Sequence, residues 1–166
     1  IGFKNIDYMI ADENLIKKGE EKLYSEKIIK LPEIWNAHSG FNHKRKFNEL
    51  PLLKNNIFHF GSFNNFKKIS DEVVGTWSKI LKRAGNSKLI LKSSQILNNE
   101  TVMQKFEKFN VHNQIIILDT MNYNDKLSHL ESYNNIDLAF DTFPYNGVTT
   151  TFEALWMNVP VLVLQG

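Results

Sequence analysis

The amino-acid sequence predicts an α/β protein with an open, parallel, Rossmann-like sheet flanked by helices. Five short apolar runs occur after residue 56, and most of them are continuous, which is typical of parallel strands covered on both faces. Helix-length segments separate these runs, so strand and helix alternate and right-handed crossovers are expected. The predicted strands lie at residues 57–60, 88–91, 114–118, 136–140 and 160–164.

Four helices are predicted from apolar side chains at helical spacing. The first has the clearest start signal, because Ser70 is a good N-cap residue and the acidic Asp71 and Glu72 follow it. We assign these apolar stripes to the core and give them no ligand role. The residues expected to face inward are Val74, Trp77, Leu81 and Ala84, then Val102, Phe106 and Phe109, then Leu127, Leu130 and Tyr133, and last Phe152, Leu155 and Trp156.

The first third of the chain has a different pattern. Strands are predicted at residues 6–10 and 27–31, with a helix over 13–23 between them. The irregular stretch that follows contains prolines and a basic patch, which is typical of a connector with a solvated surface. We therefore divide the chain into residues 1–31, the end of one α/β unit, 32–55, a connector, and 56–166, a second unit truncated at its C-terminal end.

The two ends of the sequence predict a piece of a longer protein. The chain begins without methionine and stops inside the apolar run at residues 161–166. A complete domain rarely ends in this way, although a C-terminal edge strand is the alternative interpretation.

The composition excludes several classes of function. The 166 residues contain no cysteine, so disulfides, cysteine-bound zinc and a cysteine nucleophile are ruled out for this chain. The formal net charge of +2 is too balanced to indicate nucleic acid or a membrane surface as a partner. The histidines show no H-x-x-x-H metal spacing, and no apolar run approaches the ~20 residues of a membrane span. We expect a soluble, cytoplasmic protein with no nucleic-acid or membrane partner.

Polar loops after the predicted strands are the candidate ligand sites, because open parallel sheets bind ligands beyond the carboxyl ends of their strands. In the most informative loop, Gly147 precedes a helix start that carries Thr149 and Thr150. The first amides of a helix lack intrahelical partners and carry partial positive charge, and threonine hydroxyls add donors, so this loop suits a phosphate or pyrophosphate. Simple N-capping by a threonine is the alternative.

Two other loops offer further candidates. Lys67 and Lys68 follow another strand end, where one of them can reach the same phosphates, or both are merely exposed. Lys126 and His129 are three residues apart on one helix face, where they can hold a base and a ribose, or form ordinary surface. The chain lacks G-x-G-x-x-G, the P-loop motif and any Asp-x-Asp, so Rossmann dinucleotide binding, P-loop hydrolysis and a carboxylate-held metal are not indicated.

Residues 137–160 carry a resemblance to a known family. They read Asp-Leu-Ala-Phe-Asp-Thr-Phe-Pro-Tyr-Asn-Gly-Val-Thr-Thr-Thr-Phe-Glu-Ala-Leu-Trp-Met-Asn-Val-Pro, which closely resembles the O-linked N-acetylglucosamine transferase family in its bacterial and SPINDLY-type members. A second block at residues 60–69, with 77–81 and 86–87, is similar to the same family, as is a third at 24–27 with 31–32. The blocks follow the family order and span nearly the whole chain.

The resemblance implies a GT-B glycosyltransferase, in which two Rossmann-like domains face each other across a cleft. Residues 1–31 would then end the first, acceptor-side domain, and 56–166 would form most of the nucleotide-sugar domain. The family transfers a sugar from a UDP-sugar to serine or threonine hydroxyls of proteins, with inversion and without a metal, and tetratricopeptide repeats usually precede its catalytic region. The expected partners are therefore a UDP-sugar, carrying N-acetylglucosamine or another hexose, and a protein acceptor, with no cofactor.

The resemblance also assigns roles position by position. Lys68 matches the lysine on the diphosphate and is the catalytic candidate. The positions similar to other nucleotide-sugar contacts are Asn65, in place of a phosphate-binding glutamine, Thr149 and Thr150 at the diphosphate, Lys126 and His129 around ribose and uracil, and Glu153 at the ribose hydroxyls. Val148 departs from the pattern, because animal enzymes have histidine there.

Two functions of different classes follow from these observations. The first is a fragment of a UDP-sugar-dependent glycosyltransferase, inactive in isolation because its cleft has one wall, and without an assigned base. The alternative is a non-catalytic nucleotide-sugar-binding or scaffold module with the same fold. A second copy of the chain, covering exposed apolar faces as a homodimer, is a further expected partner.

Overall fold

A computed structural model describes residues 2–41, 46–93, 99–119 and 126–164, apart from the side chains of 93, 119 and 126–128. The chain divides into two compact units, Ile1–Gly40 and Phe41–Gly166, called unit 1 and unit 2 below. The assignment of chain segments to the domains of a longer protein stays a prediction.

Unit 1 contains two parallel strands, β1 (Tyr8–Ala11) and β2 (Lys27–Lys30), which confirms the two strands predicted there. The helix predicted between them is wrong, because only the short 3₁₀ turn Glu21–Leu23 forms. Gly19 has a positive φ of 92° that interrupts a helix. Its amide donates to the Glu21 carboxylate at 2.7 Å, so a side chain takes a donor that a helix would pair with a carbonyl.

The buried Asp12 links two separate segments of unit 1. Its carboxylate accepts the amides of Asn14 and Leu15 just downstream and that of Trp35 farther along the chain, each at 2.8 Å. These hydrogen bonds, led by the one from Trp35, lower the pKa of Asp12. The segment after β2 is thereby fastened to the end of β1.

Unit 2 contains an all-parallel, five-stranded sheet in the order β5-β4-β3-β6-β7, which confirms the predicted fold class. The strands are β3 (Phe58–Ser62), β4 (Ser87–Ser93), β5 (Ile115–Asp119), β6 (Leu138–Phe140) and β7 (Val161–Leu162). The helices are α1 (Pro51–Asn55), α2 (Asp71–Ala84), α3 (Asn99–Glu107), α4 (Lys126–Glu131) and α5 (Thr149–Trp156). The short α1 lies in the stretch predicted to be irregular and begins at Pro51, a residue type suited to the first helical position.

The strand order creates a topological switch point between β3 and β6. The chain first extends the sheet from β3 outward to β5, then returns to the other side of β3 with β6. Connections therefore leave these two neighbouring strands in opposite directions, which opens a crevice at their carboxyl ends.

The core lies on both faces of this sheet. Leu89 and Leu91 of β4 pack with α2 and α3 on one face, whereas Ile90 packs with Leu130 and Tyr133 on the other. The alternation follows from the period of two along a strand. Hydrophobic residues on both faces explain why the strand sequences are continuous apolar runs.

Most of the predicted inward-facing residues are buried or partly buried, and the exceptions have local causes. Ala84 is exposed because it is the last residue of α2. Leu155 is 55% exposed, since the buried face of α5 is centred on Ala154 and a helix turns about 100° per residue. Phe109 lies past the end of α3 and still packs against the core, and the side chain of Leu127 lies outside the described residues.

Within the described ranges, no helix has both the length and the apolar character needed to cross a membrane. The cytoplasmic location stays a prediction.

We expect Gly61→Ala to destabilise unit 2. A Cβ atom at Gly61 would lie 2.5 Å from Cγ2 and 2.6 Å from Cδ1 of Ile136, which is itself buried and cannot move aside. Overpacking of this kind costs about 1–3 kcal/mol, measurable as a lower urea midpoint of unfolding.

Gly75→Ala is the matched control. Its Cβ would meet Phe109 at 3.4 Å, an ordinary contact, and alanine is the better residue inside α2 by roughly 0.5–1 kcal/mol. Equal urea midpoints for the Gly61 variant and the unmodified protein would contradict the packing described here.

Candidate functional site

The crevice at the switch point is the candidate functional site. It is lined from β3 and the residues after it by Gly61 and Asn64, and from the β6 end by Asp141. The first turn of α5 contributes Thr150, and the turn before β6 contributes Tyr133. The predicted location beyond the strand ends therefore coincides with a crevice that contains polar groups.

Asp141, the first residue after β6, organises the loop that leads to α5. Its Oδ1 atom accepts the amide of Gly147 at 2.7 Å and that of Thr142 at 2.8 Å, and it accepts the Asn64 side-chain amide at 3.3 Å. The carboxylate is only 5% exposed, so these three donors compensate its burial. The loop is thereby folded back so that Gly147 lies against the end of β6.

The first turn of α5 is fastened to the same group of residues. Thr150 donates its hydroxyl hydrogen to Oδ1 of Asn64 at 3.1 Å, and Thr151 donates to the Gly147 carbonyl at 3.2 Å. The N-cap residue is Val148, and no side chain caps the helix in the described structure. Simple N-capping by a threonine, the alternative raised from the sequence, is therefore wrong. The N-terminal amides of α5 are left for another acceptor.

Lys68 approaches this loop from the other strand end. It closes the 3₁₀ turn Phe66–Lys68 after β3, and its Nζ donates to the Asn146 carbonyl at 3.0 Å. The same ammonium lies 4.4 Å from the centre of the Tyr145 ring. The structure thus places Lys68 beside the residues that precede α5, whereas Lys67 is exposed. Whether Lys68 binds a ligand stays a prediction.

Asn65 has a local structural task. Its side-chain Oδ1 accepts the Lys67 amide at 3.0 Å and caps the turn that carries Lys68. Its side-chain oxygen is therefore engaged with the backbone, and its NH₂ group is the part suited to a phosphate.

A second polar cluster joins α4, α5 and the turn before β6. His129 Nε2 and the Tyr133 hydroxyl lie 3.0 and 3.1 Å from the same atom, Oε2 of Glu153. The Tyr133 hydroxyl is also 3.2 Å from the Thr150 carbonyl, which links this cluster to the loop described above. Burial, together with the Glu153 charge, raises the pKa of Tyr133, so its hydroxyl keeps its proton.

Lys92 adds a positive charge near this cluster. It belongs to β4, and its Nζ donates to the Ser132 hydroxyl at 2.8 Å and lies 5.8 Å from the centre of the Phe63 ring. Burial lowers the pKa of Lys92, and the charge of Glu153 opposes that effect. The side chain of Lys126, another predicted site residue, lies outside the described residues.

Three residues of this arrangement are not predicted as site residues from the sequence. Helical spacing predicts Tyr133 only as a core residue, and Asn64 and Asp141 have no predicted role, although all three are buried. For Asp141 a signal existed, because an Asp directly after a strand and before a glycine-containing loop often accepts nearby amides. Nothing in the local sequence marks Tyr133, since its hydrogen-bond partners come from α5.

Over the described part of the chain, no three His, Asp or Glu side chains are grouped so that they could hold a metal ion. The expectation of a metal-free reaction stays a prediction.

The strand order and the polar crevice define an open α/β domain with a candidate site at the carboxyl edge of its sheet, where proteins of this class bind ligands. Residues 42–166 match the model of Glycosyl transferase family 41, and the chain belongs to this family. This result confirms the resemblance found in the sequence.

Individual relatives agree with the family assignment. The chain is 30% identical over 171 residues to a probable UDP-N-acetylglucosamine–peptide N-acetylglucosaminyltransferase SPINDLY of Eustoma exaltatum subsp. russellianum, covering 99% of this chain and 18% of the relative. It is 30% identical to the SEC protein of Arabidopsis thaliana, a probable transferase of the same kind, over 98% of this chain and 17% of that one.

A solved structure shares the fold. An O-GlcNAc transferase of Thermobaculum terrenum, determined as a mutant, superposes with a TM-score of 0.81 at 30% identity, covering 96% of this chain and 30% of that one. The chain therefore spans less than a third of the length of each of these three proteins.

We expect Gly147→Ala to disrupt the loop before α5. An added Cβ would collide with Oγ1 of Thr150 and would lie 2.9 Å from Oδ1 of Asn64 and 3.0 Å from Oδ1 of Asp141. Two of these oxygens belong to buried side chains with fixed hydrogen bonds. The expected loss is about 1–3 kcal/mol of unfolding free energy, measured by urea titration.

A second substitution tests the cause of that loss. Thr150→Ala removes the nearest oxygen, so the Gly147→Ala and Thr150→Ala pair is expected to cost less than the sum of the single changes. Strict additivity would show that the predicted collision does not occur.

Proposed function

We propose that the protein is a UDP-sugar-dependent glycosyltransferase that modifies serine or threonine hydroxyls of proteins, and that unit 2 holds its nucleotide-sugar site. The observation that carries the proposal is the position of the Lys68 ammonium, 3.0 Å from the Asn146 carbonyl at an uncapped helix start. Family membership supports the same function, as do the transferase names that the relatives carry.

The diphosphate would bind between Lys68 and the start of α5. An ammonium has three donors, and the Asn146 carbonyl accepts one, so two are available to phosphate oxygens. The amides of Thr149 and Thr150 add the donors and the partial positive charge of a helix N-terminus. The Gly147 amide is already bound to Asp141, so the α5 amides carry this role.

The nucleoside would bind along the second cluster. Both described hydrogen bonds to the Glu153 carboxylate reach Oε2, which leaves Oε1 for the ribose hydroxyls. The His129 ring is half-buried beside Phe63, with ring centres 6.4 Å apart, and offers a face for a base. Lys126 begins α4 at the same end of the sheet and belongs to this part of the proposal.

The chemistry asked of these groups is stabilisation of the leaving group. Negative charge grows on the β-phosphate as the bond to the sugar breaks, so fixed donors aimed at it favour the transition state more than the ground state. A metal ion is not needed in this scheme, because the ammonium and the helix amides balance the charge. The acceptor hydroxyl attacks from the opposite face of the sugar, which inverts the anomeric carbon.

The second candidate function is binding of a nucleotide sugar at the same site without sugar transfer. Val148 supplies no side-chain donor at the start of α5, which favours a nucleotide-sugar-binding or scaffold module. Calorimetry with UDP together with a sugar-transfer assay distinguishes the two, since only an enzyme shows both binding and transfer. The cytoplasmic location and the pairing with a second copy remain parts of the proposal.

We expect Lys68→Ala in the full-length protein to lower sugar transfer about 10²–10³-fold, the usual effect of removing one transition-state donor. Transfer of radiolabelled N-acetylglucosamine from its UDP donor to protein is the measurement. Lys67→Ala is the matched control, because this neighbouring lysine is exposed and should leave the rate unchanged. Turnover of the Lys68 variant within a few-fold of the unmodified enzyme would refute the assignment.

A further inference from the structure

We propose that Tyr133 is a positioning residue that sets the orientation of the Glu153 carboxylate, and through it the preference of the site for ribose over 2′-deoxyribose. The inference rests on the proposed function, because it takes Glu153 as the group that meets the ribose. It adds a residue that touches no ligand itself and acts only through Glu153.

The Tyr133 hydroxyl is a donor with two acceptors on α5. It lies 3.1 Å from Oε2 of Glu153 and 3.2 Å from the Thr150 carbonyl. A hydroxyl has one hydrogen, and a carboxylate is the stronger acceptor, so Glu153 receives the better bond. Whichever of the two acceptors takes the hydrogen, the Tyr133 hydroxyl lies against the first turn of α5.

The Tyr133 ring gives that hydroxyl a fixed position. The residue is only 2% exposed and lies in the 3₁₀ turn Ser132–Asn135 directly before β6. Phe63 meets the ring edge-to-face at 4.6 Å between centres, and His129 packs against it at 6.0 Å and 86°. Glu153, in contrast, has three rotatable side-chain bonds, so a fixed partner lowers the entropy lost when a ligand binds.

The contacts also decide which carboxylate oxygen faces the ligand. His129 Nε2 and the Tyr133 hydroxyl both approach Oε2, at 3.0 and 3.1 Å. Among the described residues, no hydrogen bond reaches Oε1, which can accept from two neighbouring hydroxyls. The ribose 2′- and 3′-hydroxyls are such a pair, whereas a 2′-deoxyribose supplies only one. Without the Tyr133 hydroxyl, His129 Nε2 is the one described partner left on Oε2, so the carboxylate is held less firmly and this preference should shrink.

The test compares UDP with 2′-deoxy-UDP by calorimetry on the full-length protein. The unmodified protein should bind UDP at least tenfold more tightly than the deoxy form. Tyr133→Phe keeps the buried ring and removes only the hydroxyl, and it should weaken UDP binding about tenfold with little effect on the deoxy form. Tyr8→Phe, the same chemical change at an exposed position, should leave both affinities unchanged.

Glu153→Gln separates this inference from the proposed function. If Tyr133 acts through Glu153, adding Tyr133→Phe to Glu153→Gln should not weaken UDP binding further. Loss of the ribose preference with Glu153→Gln but not with Tyr133→Phe would overturn the role of Tyr133 and leave the proposed function standing. An unchanged preference with Glu153→Gln would overturn the inference together with the ribose role of Glu153, whereas a lack of UDP binding by the unmodified protein would overturn the proposed function as well.

A structure of the full-length protein with UDP gives a second readout that does not depend on any variant folding. It should show Oε1 of Glu153 on the ribose hydroxyls while the Tyr133 hydroxyl stays on Oε2. A ribose that meets Oε2, with the Tyr133 bond broken, would overturn the inference.

Discussion

The buried carboxylate of Asp141 is the constraint on which the candidate site depends. Its Oδ1 atom accepts two backbone amides of its own loop and the side-chain amide of Asn64, which comes from the neighbouring strand end. One acidic group thereby joins the ends of β3 and β6, the two strands that flank the switch point. Without it, the loop from Thr142 to Gly147 would have no common acceptor, and the start of α5 would lose its fixed distance from the sheet.

The hydrogen-bond donors around this loop fall into two groups, those used within the loop and those left for a ligand. Asp141 and Asn64 engage the Gly147 amide and the Thr150 hydroxyl, so these groups serve the loop rather than a ligand. The first amides of α5 and the Lys68 ammonium are what the loop presents outward. A buried negative charge close to a proposed diphosphate is unfavourable by itself, but the donors that surround Asp141 offset much of its field.

Thr150 connects the two halves of the site. Its hydroxyl is bound to the Asp141 network through Asn64, and its carbonyl lies 3.2 Å from the Tyr133 hydroxyl that contacts Glu153. The proposed diphosphate and ribose positions are therefore held by a single helical turn. A shift of α5 would move the proposed diphosphate and ribose positions together. The distance between them therefore stays constant, as a single ligand that contains both groups requires.

The fold could be predicted largely from the sequence, because its signals are local. Continuous apolar runs indicate strands covered on both faces, and Ser70 accepts the Val73 amide as an N-cap residue should. The prediction failed at residues 13–23, where glutamate side chains bind the amides of Lys17 and Gly19. Helical spacing does not reveal that side-chain acceptors compete with the helical carbonyls for these amides. It also does not reveal that the buried face of α5 is centred on Ala154 rather than Leu155.

By itself, the sequence determined the parallel α/β class, the location of the candidate site beyond the strand ends, and the family, since each depends on residue order along short segments. Only the tertiary structure decided that Lys68 lies against the loop before α5 and that Tyr133 holds Glu153. These partners are 78 and 20 residues apart in the chain. Lys68 meets the Asn146 carbonyl because β6 returns to lie beside β3, and Tyr133 meets Glu153 because α5 packs back against the turn that precedes β6. The local sequence pattern shows neither contact.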